Sequence, residues 1–118
     1  MYKRQVDGNY EIGRFLIEKG AKVDKDYAPL RIAARNGDFD IVKLLVENGA
    51  ELNYKTLDGA TALARAASRG HLETVTYLVE QGADVNMVDK LGNTALSEAA
   101  VGGYIEIMNV LILSLIHI

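Results

Sequence analysis

Residues 61–86 read TALARAASRGHLETVTYLVEQGADVN, and two other stretches repeat this pattern at a fixed spacing. Residues 28–53 read APLRIAARNGDFDIVKLLVENGAELN, and residues 94–113 read TALSEAAVGGYIEIMNVLIL. The leucine of the opening phrase recurs every 33 residues, at Leu30, Leu63 and Leu96. A period of this length is typical of a repeat protein whose units stack on their neighbours and bury a continuous core.

Each repeat predicts a pair of antiparallel helices. In the opening phrase Leu63, Ala66 and Ala67 fall at i, i+3 and i+4, which places them on one helical face, and small alanines allow a neighbouring helix to approach closely. A glycine then marks the end of the first helix, at Gly37, Gly70 and Gly103. A second apolar run follows and stops at another glycine, at Gly49 and Gly82.

Loops with turn chemistry join one pair of helices to the next. Gly59 and Gly92 predict turns in projecting fingers. The first finger is expected to be short, because Gly20 and Gly49 are 29 residues apart whereas Gly49 and Gly82 are 33 apart.

The start of each first helix also has a predicted residue type. Thr61 and Thr94 are predicted N-caps, and Pro29 suits a first helical position. Ala28 replaces the threonine in one unit, a loss that typically costs about 1 kcal/mol.

The register divides the chain, a single domain over 1–118, into four units. They span about 1–24 (partial), 25–53 (with the shortened finger), 54–86 and 87–112 (partial). In the first unit, residues 10–19 match a second helix, whereas Arg4 and Gln5 occupy the positions of the alanine pair. Terminal units commonly carry polar residues there, so we expect a capping first helix.

These phrases resemble the ankyrin repeat, whose Asp/Gly turn, Thr-Pro-Leu-His, alanine pair, Gly-His and Gly-Ala-Asp-Val-Asn are matched over nearly the whole chain. The resemblance implies an all-α repeat fold, an ankyrin solenoid of stacked helix-turn-helix units with short β-turn fingers. The chain departs from the pattern where the family has histidine after Pro-Leu, and only one Gly-His pair, Gly70–His71, remains. We therefore expect modest stability. The positions of the missing histidine are Arg31, Ala64 and Ser97.

Bulk composition excludes several kinds of partner and setting. The net charge of −3 and the pI near 5.3 give no basic field for a nucleic acid backbone. The chain has no cysteine, which is compatible with a reducing compartment, and residues 1–15 lack the apolar core of a secretory signal. The longest apolar stretch, 105–118, is too short to cross a bilayer. We expect a cytoplasmic protein with no nucleic acid or membrane partner.

The last residues do not fit the repeat. Residues 113–118 read LSLIHI where the register expects a polar residue and a glycine. A common transposase mosaic-end sequencing adapter encodes the same hexapeptide, which leads to the hypothesis that this tail is non-native and the chain a fragment of a longer array. The alternative is a natural apolar capping helix. Either way, the uncovered apolar residues predict self-association of the monomer, and association with a membrane is a further alternative. These residues are Ile112, Leu113, Leu115, Ile116 and Ile118.

No enzymatic chemistry is predicted, and neither a cofactor nor a metal. His71 and His117 are far apart in the register, and no nucleophile–base pair or phosphate-binding loop is present. Asp58–Gly59 lacks the alternating oxygen ligands of a calcium loop and predicts a turn. The short amides of Asn53 and Asn86 are interpreted as hydrogen-bonding backbone in the loops.

A binding surface is predicted along the fingers and the neighbouring face of the first helices. It combines aromatic and aliphatic residues with arginine, as protein–protein hot spots do. The function that follows is a non-catalytic adaptor or scaffold that binds a partner protein; the alternative is a targeting or regulatory segment of a larger multidomain enzyme. The predicted partner-binding residues are Tyr27, Tyr54, Leu57, Arg65, Met87 and Leu91.

Overall fold

The computed structural model describes residues 29–55 and 59–116, and these form six helices in three consecutive hairpins. The predicted all-α repeat fold is confirmed. Each hairpin pairs a short first helix with a longer second helix. The helices are α1 (Pro29–Asn36), α2 (Phe39–Glu47), α3 (Ala62–Ser68), α4 (Leu72–Glu80), α5 (Ala95–Gly102) and α6 (Ile105–Ile116).

The predicted threonine caps begin α3 and α5. Thr61 Oγ1 accepts a hydrogen bond from Ala64 N at 3.2 Å, and Thr94 Oγ1 accepts one from Ser97 N at 3.1 Å. Ser97 Oγ in turn accepts a bond from Thr94 N at 2.8 Å, which completes a capping box. Helix α1 begins at Pro29, whereas Ala28 lies outside the described residues, so its missing cap stays a prediction.

The predicted glycines close the first helices in a left-handed conformation. Gly70 has φ 79°, and the amide of the next residue donates to Ala66 O at 3.0 Å, so the chain reverses within two residues. Gly37 and Gly103 repeat this geometry with φ 76° and 74°. The second helix of each hairpin therefore starts beside the end of the first.

The hairpins stack side by side in two layers. Helices α1, α3 and α5 form an inner layer, in which α1 packs on α3 and α3 on α5. Helices α2, α4 and α6 form an outer layer that packs in the same order. The alanines of the three pairs are buried except Ala100 in the last hairpin, and Ala34, Ala66, Ala67 and Ala99 have no exposed surface. Small side chains at these positions permit the close helix approach that the repeat requires.

The outer layer supplies the larger side chains of the core. Leu45, Leu78 and Leu111 occupy the same register position and are all at most 3% exposed. The rings of Phe39 in α2 and Tyr77 in α4 meet edge to face, with centroids 5.5 Å apart. One hairpin thus covers its neighbour along both layers.

The last helix is longer than the other outer helices and continues through Leu115, where the register expects the closing glycine. Ile112, Leu113 and Ile116 are exposed, as predicted for an uncovered apolar set, whereas Leu115 packs partly against the core. Ile118 and His117 lie outside the described residues. Among residues 29–55 and 59–116, no helix has the length and apolar character needed to cross a membrane.

The predicted division into units is only partly visible. Residues 1–24, with their predicted partial unit, and the shortened finger at 25–28 lie outside the described residues. The unit boundaries and the non-native character of 113–118 stay predictions.

Candidate functional site

The third finger, residues 87–93, is a hydrogen-bonded loop built around one carboxylate. Asp89 Oδ1 accepts hydrogen bonds from the backbone amides of Leu91 and Asn93, both at 2.9 Å. Asp89 N donates to Asn93 O, and Gly92 N donates to Asp89 O, each at 3.0 Å. Because Asp89 accepts hydrogen bonds from these amides, its carboxylate holds the backbone of the turn, and the side chain of Leu91 is not needed for this.

Leu91 is the exposed tip of this finger. Its side chain is 86% exposed, and Val88 beside it is 45% exposed. A large apolar side chain held in water by a fixed backbone is available for contact at little entropic cost. The sequence prediction of Leu91 as a contact residue therefore coincides with an accessible position.

The other predicted contact residues lie in different surroundings. Tyr54, Arg65 and Met87 are each half-buried, so only part of each side chain is accessible. Tyr54 and Met87 occupy equivalent positions at the start of successive fingers, one repeat apart. Tyr27 and Leu57 lie outside the described residues.

Neighbouring fingers are in backbone contact. A Cβ atom placed at Gly59 would lie 3.0 Å from Asp89 Cα and from Lys90 N, so only glycine fits there without displacing the next finger. Below the fingers, Asn53 Oδ1 accepts a hydrogen bond from Asp84 N at 2.8 Å. The amide of Asn53 thus bonds backbone as expected, but the backbone belongs to the next repeat.

The accessible surface continues from the fingers onto the open side of the inner helices, by which we mean the side opposite their buried residues. In α5 the buried residues are Ala95 and Ala99, and Val101 points to the other side with 88% of its surface exposed. Ile32 of α1 is exposed at 36%. Val101 is absent from the predicted contact set, although its register position, shared with Arg35 and Ser68, placed it beside this face.

His71 connects two repeats. Its Nε2 donates a hydrogen bond to Arg35 O at 2.9 Å, which requires the Nε2–H tautomer. The ring lies over Gly37, where a Cβ would come within 2.6 Å of His71 Cε1. One repeat later, Tyr104 covers Gly70 in the same way. His71 is therefore engaged in joining two hairpins.

The described ranges offer few features that could support catalysis or metal binding. Within 29–55 and 59–116, no group of three or more His, Cys, Asp or Glu side chains could hold a metal ion. A cavity of about 320 Å³ lies at the turn edge of the stack, away from the fingers, between Leu72 and Ile105. Tyr104 and Glu106 also line it, but no nucleophile stands beside a base.

Comparison with known proteins agrees with this architecture. A family model described as ankyrin repeats, in 3 copies, matches residues 5–56 and 30–118. A 61-residue stretch is 39% identical to the E3 ubiquitin-protein ligase hecd-1 of Caenorhabditis elegans, a match that covers 50% of this chain and 2% of that protein. The chain thus corresponds to a small part of that relative. Ankyrin repeats generally mediate protein–protein interaction and are not themselves catalytic. With most of its length matched by the family model, this chain belongs to the ankyrin repeats.

Proposed function

We propose that this chain is a non-catalytic recognition module that binds a folded partner protein through its fingers and the open side of its inner helices. The observation that carries the proposal is the fixed presentation of Leu91, whose backbone amide is held by Asp89 while its side chain is 86% exposed. Preorganised apolar contacts lose little freedom on association.

A second exposed aliphatic residue supports the same surface. Val101 is 88% exposed on α5, the inner helix that follows the finger carrying Leu91. Together with half-buried Met87 and Arg65, these two aliphatic side chains give the mixture of apolar and arginine contacts found at interface hot spots. Such a mixture is suited to a protein surface.

The test compares two double variants, each of which replaces two exposed aliphatic side chains in a different part of the stack. Leu91→Asp with Val101→Asp alters the proposed surface, whereas Leu72→Asp with Ile105→Asp alters exposed residues at the turn edge. Partners cross-linked to the native chain in cell extract are identified by mass spectrometry, and their affinities are measured by surface plasmon resonance. We expect the first variant to bind at least tenfold more weakly, since hot-spot residues each contribute about 2 kcal/mol or more.

Circular dichroism must show native helicity for both variants. The proposed surface is wrong if Leu91→Asp with Val101→Asp binds as tightly as the native chain. It is also wrong if only Leu72→Asp with Ile105→Asp weakens binding. Tyr54, Arg65 and Met87 are less useful as a first test, because each is half-buried and its substitution also changes packing.

A second candidate function is a targeting or regulatory segment of a larger enzyme. Its support is the match to a protein named as an E3 ubiquitin-protein ligase, of which the chain covers 2%. Determining the full reading frame at the source locus tests this candidate, because an adjoining catalytic domain would carry its own motifs. An uninterrupted native frame through 113–118 would also refute the adapter hypothesis.

We also propose that the protein is a monomer, that it works in the cytoplasm and that it does not bind nucleic acid. The lack of cysteine supports a reducing compartment. Light scattering after size exclusion measures the oligomeric state, and the same measurement on Ile112→Asp with Ile116→Asp tests whether any dimer forms through the exposed side of α6.

A further inference from the structure

The hairpin α1–α2 contains the two asparagine–glycine pairs of the sequence, one at the end of each helix. Asn36 is the last residue of α1, and Asn48 follows the last residue of α2. Both asparagines are exposed. In such a pair the backbone nitrogen of the glycine can attack the asparagine side chain, because glycine has no side chain to obstruct the approach. The two pairs therefore share one intrinsic reactivity, and their surroundings decide whether each reacts.

The reaction is an intramolecular substitution at the side-chain carbonyl of asparagine. The glycine nitrogen forms a bond to Cγ, the bond from Cγ to Nδ2 breaks, and the N–H proton leaves with Nδ2 as ammonia. Water then opens the resulting five-membered imide at either carbonyl. One opening gives aspartate, and the other gives isoaspartate, in which the chain continues through Cβ and Cγ. The one co-reactant is solvent water.

The pair Asn36–Gly37 is held in place by the next repeat. His71 Nε2 donates a hydrogen bond to Arg35 O at 2.9 Å, which fixes the peptide group before Asn36. The imidazole also lies over Gly37, where an added Cβ would come within 2.6 Å of His71 Cε1. The attack requires the peptide group between Asn36 and Gly37 to rotate. This rotation must displace the histidine, and so it is coupled to the contact between two hairpins.

The pair Asn48–Gly49 has no comparable cover. Gly49 is exposed with φ 94°, and no group of the described residues lies within 4 Å of its Cβ position. Two hydrogen bonds restrain the reacting atoms, from Gly49 N to Val46 O at 3.1 Å and from Asn48 Nδ2 to Leu44 O at 2.8 Å. Both bonds belong to the last turn of α2. Helix ends open locally without unfolding the rest of the protein, so these bonds break often.

The following repeat offers a comparison with the same backbone and a longer side chain. Gln81–Gly82 occupies this register at the end of α4, and Gly82 is exposed with φ 100°. Gly82 N donates to Val79 O at 3.0 Å, and no group of the described residues lies within 4 Å of its Cβ position. Glutamine has one more methylene, so its attack would close a six-membered imide, which forms much more slowly. The two sites thus differ mainly in side-chain length.

From these contacts we propose that Asn48 is a site of spontaneous deamidation in the folded protein, whereas Asn36 is protected by His71. The product at position 48 is a mixture of aspartate and isoaspartate. Its carboxylate cannot donate to Leu44 O, and it adds negative charge beside Glu47 at the C-terminal end of α2, where the helix dipole disfavours an anion. The modification consequently weakens the end of a helix that packs on α4.

The test incubates the purified native chain in mildly alkaline buffer at physiological temperature. Proteolytic fragments are quantified by mass spectrometry over time, and electron-transfer fragmentation distinguishes isoaspartate from aspartate. We expect conversion at Asn48 to be at least about tenfold faster than at Asn36, with isoaspartate among the products. In guanidinium chloride the two sites should react at similar rates, because the contacts that protect Asn36 are lost.

Matched substitutions separate the causes. Asn48→Gln gives α2 the side chain that α4 has and should abolish conversion at position 48. Gln81→Asn should create a second reactive site at the end of α4, with a rate within about threefold of that at Asn48. His71→Ala should raise the rate at Asn36 at least about tenfold relative to Asn48 in the same variant, which corrects for any general loss of stability. Native circular dichroism is required of each variant.

The thermal midpoint measures the consequence for stability. The converted chain should melt about 2–5 °C below the fresh chain, because its helix end has lost a hydrogen bond and gained an unfavourable charge. Asn48→Gln incubated in the same way should keep its midpoint. An unchanged midpoint of the converted chain would mean that the modification does not weaken α2.

The proposed site is wrong if the folded chain converts Asn36 as fast as Asn48, or converts Asn48 no faster than Asn53, which precedes a tyrosine. It is also wrong if Gln81→Asn stays unreactive, or if aspartate forms without isoaspartate, because direct hydrolysis does not pass through the imide. If His71→Ala leaves Asn36 unreactive, the protection assigned to His71 is wrong. These results do not depend on partner binding, so the proposed function is tested separately.

Discussion

The hairpins α3–α4 and α5–α6 have the same register but not the same burial. Ala67 is fully buried, and its counterpart Ala100 is exposed. Ala83 is 9% exposed, and its counterpart Ile116 is 69% exposed. The positions that α3–α4 buries are those covered by the following hairpin, since α3 packs on α5 and α4 on α6.

The side of the last hairpin that faces the preceding hairpin shows the complementary pattern of burial. Ala99 and Leu111, which contact the preceding hairpin, are at most 1% exposed, as are Ala66 and Leu78 one repeat earlier. A hairpin in this fold therefore needs a neighbour on each side to complete the burial of its apolar surface. Each side of it is stabilised by whichever neighbour it meets, which is why energies in such stacks resemble sums of nearest-neighbour contacts.

Replacing Ala67 or its counterpart Ala100 with leucine gives the sharpest test of the difference in burial between the two hairpins. We expect Ala67→Leu to lower the free energy of unfolding by about 1–3 kcal/mol, because three added carbons must fit between packed helices. Ala100→Leu should change it by no more than about 0.5 kcal/mol, because the side chain meets solvent. Urea unfolding followed by circular dichroism measures both. Equal losses would show that burial at the register position does not depend on the neighbour.

A smaller effect is expected at the turn glycines. Gly70→Ala and Gly103→Ala both place a side chain at positive φ, 79° and 74°, which costs about 1–2 kcal/mol. Only the first also introduces a Cβ 2.7 Å from Tyr104 Cε1 of the next hairpin, whereas Gly103 has nothing within 4 Å. Gly70→Ala should therefore be the more destabilising of the two.

A double-mutant cycle isolates this excess. In the background of Tyr104→Ala, the two glycine substitutions should cost the same, because the ring that Gly70→Ala displaces is absent. The thermal midpoints of the single and double variants supply the measurement. An excess at Gly70 that persists without the ring would mean that the turns differ in backbone strain and not in contact with the neighbour.

Local features of the fold follow from the sequence because their causes are local. Thr61 and Thr94 cap the helices they precede, and Gly37 and Gly70 take positive φ where predicted, since a hydroxyl or a missing Cβ acts within a few residues. The 33-residue period then gives the order of packing. Helices α1 to α5 end one or two residues before the predicted glycines, whereas α6 runs past the expected glycine position at Leu115.

Features that depend on a neighbouring repeat were not predictable in the same way. Tyr104 occupies the register position of His71, and no residue pattern indicated that a phenol ring would cover Gly70 as the imidazole covers Gly37. Among the contact residues, Leu91 was predicted and is accessible, whereas Val101, which its register position placed beside the same face, was left out of the predicted set. Whether these residues bind a partner stays a prediction.

The smallest expected effect is a pH dependence at the contact between α2 and α4. Burial raises the pKa of the Tyr77 phenol above its usual value of 10.0, and the negative charge of Glu47 in the preceding hairpin adds to the rise. The unfolded chain therefore releases this proton at a lower pH than the folded chain. Stability is complete below about pH 10 and is lost as the pH rises through the folded pKa, because the unfolded state then binds fewer protons.

Replacing the phenol tests this contact, and with it the coupling between hairpins in the outer layer. In Tyr77→Phe the ring still packs on Phe39, but the titrating proton is gone, so the urea midpoint should fall less between about pH 8 and pH 10.5 than in the native chain. Glu47→Gln should show an intermediate fall, because desolvation, the larger cause of the raised pKa, remains. Identical pH profiles for the native chain and Tyr77→Phe would mean that the phenol is as well hydrated in the stack as in the unfolded chain. The outer helices would then be coupled by ring packing alone, with no contribution from the charge of the neighbouring hairpin.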